Sequence, residues 1–159
     1  MAVYPVFAVA NDIIDKAAKE GICMSNLKLQ KMLYFLYGHF FVKSDYPLID
    51  EKFQTWPYGP VIPIVYGRAQ KFGALGITEY LLDQEGYFYV TDKLADNYIE
   101  TFEYVWNKYS HIPALTLSKL THAPQSPWDV VTKEKGLYKE IPPELIKKYF
   151  RGESISAQK

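Results

Sequence analysis

Covalent chemistry needs a nucleophile, a base to activate it and a group to orient the base. This chain offers few candidates: Cys23, Ser25 and the histidines His39, His111 and His122. Cys23 stands between Ile22 and Met24, an apolar setting that reads as a buried, inert thiol rather than a thiolate. His39 lies within the aromatic run LYFLYGHFF and reads as a core or rim histidine with a hydrogen-bond partner. His111 closes a predicted helix, where a positive charge suits the dipole. Asp12 and Asp15 read as the wet face of an amphipathic helix. No two histidines stand four residues apart, and HExxH, GxGxxG and GxxxxGK[ST] are absent. No catalytic, metal-binding or cofactor-binding residue is assigned, and the chain is not expected to be an enzyme. A Cys/His hydrolase would have Cys23 as its only nucleophile of note.

Three other clusters stand out. LKLQKMLYF, residues 27–35, interrupts an apolar helix with Lys28, Gln30 and Lys31; such lysines ordinarily mark a solvated face. WPYGPVIPIVY, residues 56–66, sets two large aromatics among prolines. LTHAPQSPWDVV, residues 120–131, repeats the theme and reads as a second proline-punctuated loop. Each proline removes a backbone donor and fixes φ, so these stretches exclude helix interiors and central strands. A loop held rigid in this way loses less entropy when a partner binds it. The same rigidity serves a core plug, and spacing alone does not separate the two.

These clusters need a scaffold, and the rest of the chain supplies one. The 159 residues fit one domain, with 48% hydrophobic and 23% charged residues, an ordinary globular balance. The formal net charge of zero argues against a phosphate-backbone footprint, so DNA is not an expected partner. A single cysteine excludes an internal disulfide and fits a reducing cytoplasm. No signal peptide is read, and no apolar run approaches the roughly 18 residues of a spanning helix. The 14 tyrosines suit half-buried surfaces and leave self-association open.

Apolar spacing predicts helices over 6–20, ended by Gly21, and over 26–43, capped by Ser25. The second is apolar on most sides and is therefore central. Gly38 within it suggests a close neighbour. KFQTW is a candidate short strand, and 62–72 a short helix with Pro63 in its first turn. EYLLDQEGYFYVT, residues 79–91, reads as a β-hairpin turning at Asp83–Gly86. Asp92 is expected to cap a helix running to Tyr109, ALTLSKL a short helix, and IPPELIKKYF a last one. The fold class is mainly α (α+β): a compact single-domain helical bundle around a central apolar helix, with a small β-hairpin or three-stranded patch. The domain is expected over 1–152, with a frayed tail over 153–159.

The order KLQKMLYFLYGHF, DEKFQTWPYGPVIPIVY and LSKLTHAPQSPW resembles the Panacea-domain proteins, the SocA-like antitoxins, also known as phage-associated GepA-type proteins. The family pattern is matched at Lys28–Tyr34, Asp50–Glu51, Trp56–Tyr66 and Leu120–Trp128. It departs at Gln125-Ser126, which sits between Pro124 and Pro127. The resemblance implies an antitoxin of a two-gene toxin–antitoxin system. Its partner would be a cognate protein toxin, neutralised by direct contact. Some members act instead as adaptors delivering the toxin to a protease, and some carry an N-terminal DNA-binding domain. The family-like part starts within the first dozen residues here, so none is expected, though a transcriptional regulator stays as an alternative. On this resemblance Lys28, Lys31, Tyr58, Tyr66 and Trp128 are candidate partner-binding residues. Trp56, Pro57, Gly59, Pro60, His122 and Pro127 are candidate determinants of the motif's shape, with Trp56 anchored inward and Tyr58 at the binding face. The competing reading makes all of them fold determinants, with the toxin bound elsewhere.

Overall fold

The computed structural model describes residues 3–88, 91 and 95–157. Seven helices and one small sheet are formed among them: α1 (Val6–Glu20), α2 (Asn26–Ser44), β1 (Gln54–Trp56), β2 (Gly59–Val61), α3 (Pro63–Ala69), α4 (Asp96–Tyr109), α5 (Ala114–Thr121), α6 (Pro127–Lys135) and α7 (Pro143–Ala157).

α2 organises everything else. Every residue from Lys28 to Phe41 is buried, and α1, α3, α4, α5 and α7 pack against the helix. Its ends follow from local chemistry. The Ser25 hydroxyl accepts the Lys28 N–H at 3.2 Å, satisfying an orphan donor. Asp45, in the left-handed region, closes the far end. Aromatic rings fill the space around it: Phe35 stacks on Tyr109 at 4.0 Å, and Tyr34 meets Phe53 and Phe150 edge-on, each at 5.4 Å.

The β content sits at the proline-rich segment. β1 and β2 form an antiparallel hairpin in which Trp56 faces Gly59, with Pro57 and Tyr58 at the turn. The other edge of β1 is also occupied. Thr55 N–H donates to Lys139 O at 2.9 Å, Tyr138 N–H donates to Thr55 O, and Gln54 forms a bridge with Glu140. The patch is thus a hairpin flanked by a third, isolated stretch.

Five local expectations change, the first at Cys23, which is exposed rather than buried. Residues 79–88 form no strand: Asp83–Gly86 do make a turn, closed by Asp83 N–H to Tyr87 O at 2.7 Å, while Tyr89 and Val90 lie outside the described residues. The reason is a competing partner. The buried Asn11 amide accepts Leu81 N–H at 2.8 Å and donates to Leu81 O at 3.1 Å, taking both groups a ladder would use. Asp12 and Asp15 are likewise more than a wet face. Asp12 accepts from Thr91 and Asp15 from Tyr80, pinning the same segment onto α1, and Asp12 also accepts from Tyr98 of α4. Asp92 lies outside the described residues, and α4 starts later, at Asp96, without a side-chain cap. The expected loop over 120–131 is half helix: Ser126 accepts the Asp129 N–H at 3.2 Å and Pro127 takes the first helical position, the cap-then-proline signature of a helix start. The backbone of α7 continues to Ala157.

Gly38 shows the tightness of the core. A Cβ placed there would lie 2.3 Å from the Phe150 ring, so only glycine lets α7 approach. Gly38→Ala gains about 1 kcal/mol of helix propensity but overpacks the contact at roughly 1–3 kcal/mol. A lower thermal midpoint is expected, restored in part by adding Phe150→Leu.

A candidate partner-binding corner on a buried polar frame

The WPYGP segment cannot satisfy its backbone by a long ladder. Side chains from three helices do so instead. Trp128 Nε1–H donates to Trp56 O at 2.8 Å, Ser118 Oγ–H to Tyr58 O at 2.6 Å and Lys31 Nζ–H to Pro60 O at 3.0 Å. Further on, Gln30 Oε1 accepts Ile62 N–H at 3.0 Å, and Asn26 Nδ2–H donates to Tyr66 O at 3.1 Å. Gln30 Nε2–H donates to Asn26 Oδ1 at 3.1 Å, joining the two amides. α2, α5 and α6 thus converge on consecutive turns of one loop.

The lysines of KLQK depart from a solvated face. Lys31 is fully buried and Lys28 nearly so. Lys28 Nζ–H donates to Ser110 O at 2.5 Å, beyond the end of α4. Burial lowers the pKa of both, that of Lys31 to about 7, because an ammonium removed from water without a carboxylate partner is costly. Gly59 sits directly over Lys31 with φ +115°, and a Cβ there would lie 2.8 Å from Lys31 Cε and 2.5 Å from Thr121 Oγ1. Glycine is required for both conformation and contact.

The remaining motif residues gather around this frame. Trp56 is half-buried, its ring 4.8 Å from that of Tyr66 and 5.6 Å from that of Tyr138. Trp128 stacks on His122 at 3.9 Å. Burial holds the His122 imidazole below its ordinary pKa, helped by the Lys31 charge and opposed by Asp129. Pro60 and Pro127 are buried, Pro57 is exposed, and Tyr58 projects into solvent at 61% exposure. Beside it runs a groove of about 470 Å³ lined by Asn26, Leu27, Gln30, Trp56, Tyr58 and Tyr66. Among the described residues no group of three or more His, Cys, Asp and Glu is arranged to hold a metal ion, and no helix is long and apolar enough to cross a membrane.

The structure therefore brings Lys31, Tyr58, Tyr66, Trp56, His122 and Trp128 into one neighbourhood and directs Lys28 elsewhere. Sequence reasoning missed Asn26, Ser118 and Tyr138, and passed over Gln30 as a spacer. A signal was available for the amides: a helix apolar on every side must find internal partners for any Asn or Gln it carries.

Two outcomes test this frame. Gln30→Ala leaves the buried Ile62 N–H without an acceptor, and urea denaturation should show a loss of about 1–3 kcal/mol. Lys31 has a folded pKa below its unfolded value, so its cost to stability is greatest below pH about 7 and fades as pH rises toward the ordinary lysine range. The stability difference between Lys31→Met and the native chain should therefore shift in favour of the native chain as pH rises.

Comparison with known proteins places this geometry in context. Residues 29–129 match the family model described as antitoxin SocA-like, Panacea domain. The chain is 35% identical over 157 residues to Antitoxin SocA of Caulobacter vibrioides (strain NA1000 / CB15N), covering 94% of this chain and 84% of that protein. No solved structure matches the chain. The matched span holds the Lys31 tether, the WPYGP corner and Trp128, and on this evidence the chain belongs to the SocA-like antitoxin family with the Panacea domain.

Proposed function

We propose that this chain neutralises a cognate protein toxin, encoded by a neighbouring gene, by direct binding, and that the WPYGP corner forms the centre of the contact surface. The observation that carries the proposal is Tyr58. Its side chain is 61% exposed, yet its own carbonyl and those of Trp56 and Pro60 are held by buried side chains. An aromatic on a pre-ordered backbone loses little entropy on binding, and tyrosine is enriched among interface hot spots. Tyr66 and Trp128 flank it as half-buried walls. Exposed Tyr138 and Leu137 extend the apolar rim from the third stretch of the sheet. A polar contact from Lys31 would require that ammonium to leave Pro60, so Lys31 serves this surface from behind, and Lys28 acts on the Ser110 turn.

A second reading has its own support. The buried frame supports a reading in which much of the motif shapes the fold and the toxin contacts lie elsewhere. Tyr58 separates the two because no side-chain hydrogen bond ties it down among the described residues. Tyr58→Ala should leave the melting temperature unchanged and lower toxin affinity by about 2 kcal/mol or more, measured by calorimetry on the co-purified pair. Unchanged affinity assigns the corner to the fold. Co-expression with the neighbouring gene product should yield a complex that co-elutes in size exclusion and restores growth. Rescue without a complex favours delivery to a protease or transcriptional control.

A further inference from the structure

The groove beside Tyr58 adds chemistry that the exposed ring alone does not supply. Its volume is about 470 Å³, and its walls come from the first turns of α2, the hairpin, α3 with the turn after it, and the start of α5. Among the described residues no charged side chain lines it. The polar groups along it are already engaged. Gln30 accepts the Ile62 N–H and donates to Asn26, Asn26 donates to Tyr66 O, and the Trp56 indole donates to Gln54. An apolar group can cover these without leaving their hydrogen bonds unmade. The lips are apolar as well. Tyr58 lines the groove, Leu75 and Leu115 each follow a lining residue, Ala74 and Ala114, and all three large side chains are exposed. Large apolar side chains gathered in solvent around one concavity mark an interaction site.

The backbone around the groove decides the form of its occupant. An extended segment binds by adding a strand to an open sheet edge, and both edges of the hairpin are taken. On β2, Pro60 has no N–H, Pro60 O accepts from Lys31 and the next amide, Ile62 N–H, donates to Gln30. On β1, Thr55 is paired with Tyr138 and Lys139. An extended chain lying here would bury N–H and C=O groups of its own without partners, at a cost for each. A helix arrives with its backbone already paired. A small molecule needs convergent polar groups to fix its orientation, and those along this groove are engaged. We propose that the groove receives the apolar face of an amphipathic helix of the protein toxin, whose side chains three and four residues apart seat among Tyr58, Leu75 and Leu115. The inference rests on the reading of the corner as the contact surface and adds the form of what it binds.

The test uses the full chain, with the co-expressed neighbouring gene product as probe. Ala74 is exposed at the mouth of the groove, so Ala74→Arg places bulk and charge there without entering the core. The variant should melt as the native chain does and bind the probe about tenfold more weakly or worse by calorimetry. Leu115→Glu, on another lip, should do the same and keeps the test open should the first variant fold poorly. Ala74→Ser should bind as the native chain does. A photo-crosslinking benzophenone side chain in place of Leu75 should join one segment of the probe, identified by mass spectrometry, whose apolar residues recur three and four apart. A crosslinked segment with alternating apolar residues, or with proline at its centre, overturns the helix, as does the lack of any crosslink in a pair that still co-elutes. Capture lost in Tyr58→Ala but intact in both Ala74→Arg and Leu115→Glu overturns the groove and leaves the corner standing. Capture intact in all three overturns the contact surface itself.

Discussion

A backbone locked by proline must still satisfy its carbonyls, and that requirement governs this protein. Pro57, Pro60 and Pro63 keep the ladder through WPYGPVIP to the short β1–β2 pairing. Its carbonyls at Trp56, Tyr58 and Pro60 are nevertheless paired, each by a side chain from a different helix. Leaving any buried one unpaired costs about 1–3 kcal/mol. Several such groups in one loop set the relative placement of α2, α5 and α6 more tightly than apolar packing, which is non-directional.

This explains the composition of α2. The helix is surrounded on all sides, so its positions should be apolar. Asn26, Lys28, Gln30 and Lys31 break that rule in its first turns, and each finds a carbonyl or amide partner outside or along the helix. The polar residues cluster at one end, with Asn26, Gln30 and Lys31 facing the loop and Lys28 facing the Ser110 turn. The remaining turns, from Met32 to Phe41, bury rings against α4 and α7. One helix thus serves as both hydrophobic axis and polar template.

Much of this was legible in the sequence, for identifiable reasons. α1 carries strong 3.6-residue periodicity and α2 a long run apolar on most sides, both have ordinary end signals in Gly21 and Ser25, and their bounds agree closely with the structure. Gly38 could be read as a close approach because glycine is disfavoured in helix interiors unless something needs the room. What failed was reading that depends on distant partners. EYLLDQEGYFYV has the local pattern of a hairpin, but Asn11, 70 residues away, takes the backbone groups of Leu81. Ser126-Pro127 was legible as a helix start and was overshadowed by the surrounding prolines. For the corner, types and order singled out segments that the fold brings together, while the inward direction of Lys31 depended on how many elements cover α2, which no local pattern encodes.

The sheet carries a consequence for the timing of folding. Thr55 in β1 is bonded to Lys139, 84 residues later, and Trp128 of α6 secures the turn of the hairpin. The corner therefore remains unfinished while the chain is being made, until Ser118, Trp128 and Lys139 have also left the ribosome. A nascent or prematurely ended chain would carry the KLQK helix and the WPYGP segment without the parts that set their pose. The pose of the corner thus depends on segments made 60 to 84 residues after it.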